Sequence, residues 1–202
     1  RYAALALSAV MLAGCGNAAG TKATQTETTA TAETEAQTAA EEEQADGVVK
    51  TTAGLVQGTK ENGIYRYLGV PYAEAKERFV PAEEVTPWEG IRMADTYGPM
   101  SPQAQISGVD GEAISSSGDV VVVSVNHRLN VFGYLDLSAY DEKYKYSANV
   151  GLMDIVDSLK WIQDNIEAFG GDPENVTLFG QSGGGADLAV AGHQAGVHRH
   201  FS

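Results

Sequence analysis

Apolar positions along the chain fall into three regimes. The longest periodic stretch holds Leu152, Ile155, Val156, Leu159, Ile162, Ile166 and Phe169 at the spacing of one helical face. Asn149 stands where a cap belongs, and Gly170 is placed to end the helix. Val120 to Val125 is instead a continuous β-branched run, the pattern of a strand buried on both faces of a parallel sheet. Val48 to Thr52, Leu55 to Gly58 and Ile64 to Val70 are short strand-like runs punctuated by Gly54 and Asn62-Gly63, which predicts an antiparallel meander. Between Leu68 and Pro99 the sequence reads as ordered coil with aromatic anchors.

A fourth apolar run, Val176 to Phe179, is followed by Gly180-Gln181-Ser182-Gly183-Gly184 and then by Ala186 to Val190. Strand, tight turn and helix follow one another, with a serine between two glycines in the pattern G-x-S-x-G. A serine on so sharp a turn needs neighbours without a Cβ, so that strand and helix can pass closely. The turn lifts Ser182 Oγ clear. The N–H of Gly183 lies at a helix N-terminus, where a developing oxyanion is favoured. The competing reading is a glycine-rich loop with an incidental serine. A phosphate-binding loop is excluded, because no lysine follows the glycines and G-x-G-x-x-G is not completed.

Before Gly47 the pattern changes. Tyr2 to Gly14 is small and apolar after Arg1, as in a secretory h-region, and is too short to span a bilayer. It ends Leu12-Ala13-Gly14-Cys15, which resembles a bacterial lipobox; Cys15 would then carry the lipid and become the mature N-terminus. Asn17 to Asp46 is Thr, Ala, Glu and Gln with almost no large apolar residue, so it is expected to be a disordered, self-repelling tether. The expected organisation is a signal and lipobox over 1–15, a tether over 16–46 and a folded domain over 47–202. The expected location is the bacterial cell envelope, outside the cytoplasm.

Charge and cysteine count narrow the partners. With 27 acidic and 13 basic residues in 202, the formal charge is -14, which repels a phosphate backbone and argues against nucleic acid. Cys15 is the single cysteine, so no intrachain disulfide and no cysteine metal cluster can form. The membrane is expected to be met through the lipid only.

Several blocks carry a resemblance. They are Gly69-Val70-Pro71-Tyr72-Ala73, Arg78-Phe79, Trp88-Glu89-Gly90, Gly98-Pro99 and Pro102-Gln103, then Asn126-His127-Arg128-Leu129, Phe132-Gly133-Tyr134-Leu135 and Phe169-Gly170-Gly171-Asp172-Pro173 ahead of Val176-Thr177. In this order they resemble the type-B carboxylesterases, the family of para-nitrobenzyl esterases and cholinesterases, over roughly residues 47 to 103 and 119 to 186. The resemblance implies an α/β hydrolase fold, incomplete here, with the N-terminal meander, part of the central sheet and the nucleophile elbow. It implies a serine carboxylesterase acting on a small-molecule ester without a cofactor, with Ser182 as nucleophile and Gly183 as an oxyanion donor. Gly180, Gln181 and Gly184 complete the elbow.

The family's H-G-G-G oxyanion loop has no counterpart between Gln103 and Asp119, which reads as an internal deletion joining two family blocks. The family's triad acid and histidine lie far beyond the elbow and are not found in this chain, so the chain is expected to be catalytically incomplete. A non-catalytic surface-binding member of the family is the alternative. His193, if the elbow helix continued, would lie about 16 Å along its axis from Ser182, out of reach. His198-x-His200 lacks a third ligand, so no metal site is expected. His127, after a buried strand, reads as packed or capping, and Asp172 and Asp187 make poor triad acids without a positioned histidine.

Overall fold

The computed structural model describes residues 45–102, 111–180 and 184. The signal, the tether as far as Gln44 and Gln181 to Gly183 therefore lie outside the described residues, as do the sequences after Gly184. Among the described residues there are five short strands: β1 (Val48–Lys50), β2 (Leu55–Gln57), β3 (Thr59–Glu61), β4 (Ile64–Arg66) and β5 (Ile91–Met93). Among the described residues three α-helices follow, α1 (Glu112–Gly118), α2 (Asn130–Tyr134) and α3 (Val150–Asn165), with 3-10 turns at Glu142–Tyr144, Ser147–Asn149 and Ile166–Phe169.

The expected meander is replaced by two small sheets. β2 pairs antiparallel with β1 and parallel with β5, giving the order β1-β2-β5, while β3 and β4 form a separate hairpin. Asn62 and Gly63 both take positive φ, 51° and 82°, the conformation of a hairpin turn whose twist matches the strands. Neither β3 nor β5 announces itself by alternation. Thr59-Lys60-Glu61 is exposed throughout, and Ile91-Arg92-Met93 is only half-buried at its first residue.

Helix α3 is the centre of the core. Ile155, Leu159, Ile162 and Ile166 are buried, and Val156, Trp161, Phe169, Val176 and Leu178 pack around them. Each such burial contributes about 1.5–3 kcal/mol. Phe169 meets Tyr67 edge-on at 5.0 Å and Trp161 at 5.7 Å, joining the strand layer to the end of the helix. Asn165, 3 % exposed, strengthens that junction: its Oδ1 accepts from the Thr52 N–H at 2.7 Å and its Nδ2 donates to the Trp161 carbonyl at 2.8 Å. The Trp88 indole N–H donates to the Leu55 carbonyl at 2.9 Å, holding the coil against β2.

Two local expectations need correction. Asn149 occupies the position before α3 but makes no side-chain cap bond. The helix is instead entered through the 3-10 turn at Ser147–Asn149, so backbone geometry replaces the side-chain acceptor. Val120 to Val125 does not form a strand buried on both faces. It runs without ladder pairing, and Val121 and Val123 are 41 % and 42 % exposed. A β-branched run favours extension, but strand structure requires a neighbour to bond to, and the described residues provide none.

Candidate active site

The approach to Ser182 in the sequence begins where α3 stops. Gly170 takes φ 85°, a left-handed conformation that glycine adopts without steric penalty, and the Gly171 N–H bonds back to the Ile166 carbonyl at 2.9 Å. Asp172 then shapes the turn: Oδ1 accepts from the Glu174 N–H at 2.9 Å and its carbonyl from the Asn175 N–H at 3.1 Å. Gln163, in the last turn of α3, donates to the Pro173 carbonyl at 2.8 Å. Asp172 is thus a turn residue.

From that turn the chain runs extended over Val176 to Gly180. Val176 and Leu178 pack on the α3 core, while Thr177 and Phe179 are exposed, Phe179 at 64 %. The period-2 alternation of a strand is therefore present. The expected strand itself is not, since no ladder partner exists among the described residues, and only one face is covered.

Gly180 is exposed at the end of this segment. Gln181, Ser182 and Gly183 lie outside the described residues. Gly184 has helical backbone and is exposed, and a Cβ built on it meets nothing within 4 Å among the described residues.

Opposite α3, the segment 126–130 acts as a clamp. Arg128 forms a bidentate pair with Asp154 on α3: Nε to Oδ2 at 2.8 Å and Nη2 to Oδ1 at 2.6 Å, with side chains 14 % and 6 % exposed. The Arg128 backbone N–H donates to Asp154 Oδ2 at 3.0 Å, and Nη1 donates to the Val80 carbonyl at 2.7 Å. Asn126 donates to the Pro99 carbonyl at 2.5 Å and Asn130 to that of Pro102 at 3.1 Å. The Ser101 hydroxyl donates to the carbonyl of half-buried His127 at 2.8 Å, and that of Tyr72 to the carbonyl of Asn126 at 2.9 Å. Burial, followed by the nearby Asp154 carboxylate, pushes the Tyr72 phenol far above its ordinary range, so it remains a donor.

The clamp needs a close helix crossing. A Cβ at Gly151 would fall 2.5 Å from the Arg128 carbonyl oxygen, and one at Gly133 would fall 2.4 Å from the same atom. Helices α2 and α3 can therefore approach with that carbonyl between them. Sequence inspection singled out Asn126 to Leu129 as a motif but missed its partner. The signal was available: Asp154 adjoins Ile155 on the apolar face of α3, where a carboxylate must find a cation.

The profile of the carboxylesterase family matches residues 45–108 and 104–195. The chain belongs to the carboxylesterase family.

Among its relatives, the para-nitrobenzyl esterase of Bacillus subtilis (strain 168) is 34% identical over 195 residues, covering 71% of this chain and 40% of the esterase. Carboxylesterase 3 of Homo sapiens is 31% identical over 216 residues, covering 75% and 37% respectively. The crystal structure of the Geobacillus stearothermophilus carboxylesterase superposes with a TM-score of 0.67 at 34% identity, over 71% of this chain and 39% of that one. An esterase from Clostridium hathewayi, described as able to hydrolyse aliphatic aromatic polyesters, gives 0.65 at 40% identity, over 70% of this chain and 39% of that one. The chain thus spans about 40% of the length of these carboxylesterases, and its fold is part of an α/β hydrolase.

Among the described residues no group of three His, Cys, Asp or Glu is placed to hold a metal ion, and no helix is long and apolar enough to cross a membrane. What these residues supply is positioning. The clamp holds the front coil on α3, and α3 holds the extended segment that leads to the G-x-S-x-G sequence.

Proposed function

We propose that this chain carries the nucleophile of a serine carboxylesterase, with Ser182 attacking the carbonyl of a small-molecule ester and passing through an acyl-enzyme. The observation that carries this reading is the delivery of Val176 to Gly180, one face packed on α3, directly into Gly180-Gln181-Ser182-Gly183-Gly184 in a member of the carboxylesterase family. In this reading the Gly183 N–H donates to the tetrahedral oxyanion, and the glycines at 180 and 184 leave room for the turn.

The reading includes an incomplete site. The two stretches of family match meet near residues 104–108, and the sequence there contains no H-G-G-G loop. One missing oxyanion donor costs about 2.7–4 kcal/mol in the transition state, and a missing triad base costs on the order of a millionfold in rate. This polypeptide alone is then close to inert, and activity belongs to a protein that also holds the loop, the acid and the histidine. The same reading has Cys15 lipidated and the domain held at the outer face of a bacterial membrane by the 16–46 tether, on the strength of Leu12-Ala13-Gly14-Cys15.

Labelling with a fluorophosphonate probe tests the chemistry. The chain and its Ser182→Ala variant should label equally weakly, whereas a version carrying the full family sequence should label strongly and lose that signal on Ser182→Ala. If that full version does not label, the nucleophile assignment fails. For the anchor, radiolabelled palmitate should enter the chain expressed in bacteria and be lost in Cys15→Ser; incorporation that survives this substitution overturns the assignment.

A further inference from the structure

An open groove of about 400 Å³ lies between the coil at residues 75–78 and Ser101-Pro102, with Arg128 and Phe132 behind it. Three of its four charged side chains are engaged. Lys76 Nζ is 2.9 Å from Glu83 Oε2, Glu77 Oε1 is 2.6 Å from Lys143 Nζ, and Arg128 is held by Asp154. Arg78 differs: among the described residues its guanidinium has no hydrogen-bonding or carboxylate partner. It lies over the Phe132 ring, 5.6 Å from the centroid, and that ring stacks with Phe79 at 6.1 Å and 14°.

This arrangement restrains the guanidinium while leaving its donors open. A cation over an aromatic face is attracted by the ring quadrupole, and the planar fork of N–H groups matches a carboxylate with two parallel bonds. Phe132 and Pro102 present apolar surface beside it. Ser101 already donates its proton to the His127 carbonyl, so it offers lone pairs and no competing donor. The open guanidinium beside apolar surface matches a ligand with one carboxylate and a hydrocarbon body.

We propose that Arg78 and Phe132 form a subsite for a small monocarboxylate with an apolar or aromatic body. Binding here uses no residue of the G-x-S-x-G sequence, so it stands or falls independently of Ser182.

Titration of the isotopically labelled full chain with benzoate, followed by NMR at the Arg78 side-chain N–H and the Phe132 amide, reads the site directly. Matched additions of chloride control for ionic strength. The expected result is saturable shifts in the millimolar range, about tenfold weaker in Arg78→Met and partly restored in Arg78→Lys. Phe132→Leu should weaken benzoate more than acetate, and unchanged Trp161 signals show that each variant is folded. Shifts that stay linear, that chloride reproduces, or that are equally strong in Arg78→Met overturn the proposal.

Discussion

The front clamp and the two extended runs differ in how their backbone groups are satisfied. Around Arg128, side chains reach across tens of residues to carbonyls at Val80, Pro99 and Pro102, so coil becomes fixed structure without a sheet. Val120 to Val125 and Val176 to Phe179 have stronger β character, yet they carry no ladder. Among the described residues the side-chain clamp is complete. Ladders depend on a neighbouring strand, and extension without one leaves valine and phenylalanine side chains in water.

The largest effect should come from breaking the clamp. Asp154→Ala leaves a buried guanidinium and a backbone N–H unpaired and should remove about 3–5 kcal/mol. Urea unfolding followed by tryptophan fluorescence should show the cooperative transition lost or moved far down. Leu159→Ala, which opens a cavity in the α3 core, should cost about 2–5 kcal/mol in the same assay. Gly151→Ala drives a methyl onto the Arg128 carbonyl and should cost about 1–3 kcal/mol. A neutral outcome there would mean that α2 and α3 do not cross as closely as described.

The smallest effect sharpens the comparison most. Val123→Lys should change stability by no more than about 0.5 kcal/mol, because the residue already faces solvent. A loss of several kcal/mol would mean that the run is covered on both faces. A pH test addresses the junction between strands and helix. Burial pushes the Tyr67 phenol up to about 12, so its neutral form is favoured in the folded chain. The unfolded phenol ionises near 10, so stability should fall as pH rises from about 10 towards 12. Tyrosinate absorbance and urea midpoints should both show this, and Tyr67→Phe should remove its share.

The sequence alone conveyed much of this, and physics explains the boundary. Helix α3 and its stop at Gly170 were legible because 3.6-residue periodicity and a left-handed terminator are local signals. Asn62-Gly63 was legible for the same reason. β5 was not, since its parallel pairing with β2 is set by a distant partner and its own residues are mostly exposed. Val120 to Val125 looked more certain than any of these. Its residue types encode a preference for extension and say nothing about whether a neighbour is present. Of the candidate site, the frame was legible through motif order, but the pairing of Arg128 with Asp154 needed three dimensions.

The turn from Gly170 to Asn175 also acts as a counter. It is pinned at Gly171, Pro173 and Asn175, so the number of residues between α3 and Val176 fixes the parity of the extended run. One residue added or removed there would turn Thr177 and Phe179 towards α3 and Val176 and Leu178 towards water. Two residues would restore the phase. In this fold, an odd or even count there decides which side chains of the extended run face α3.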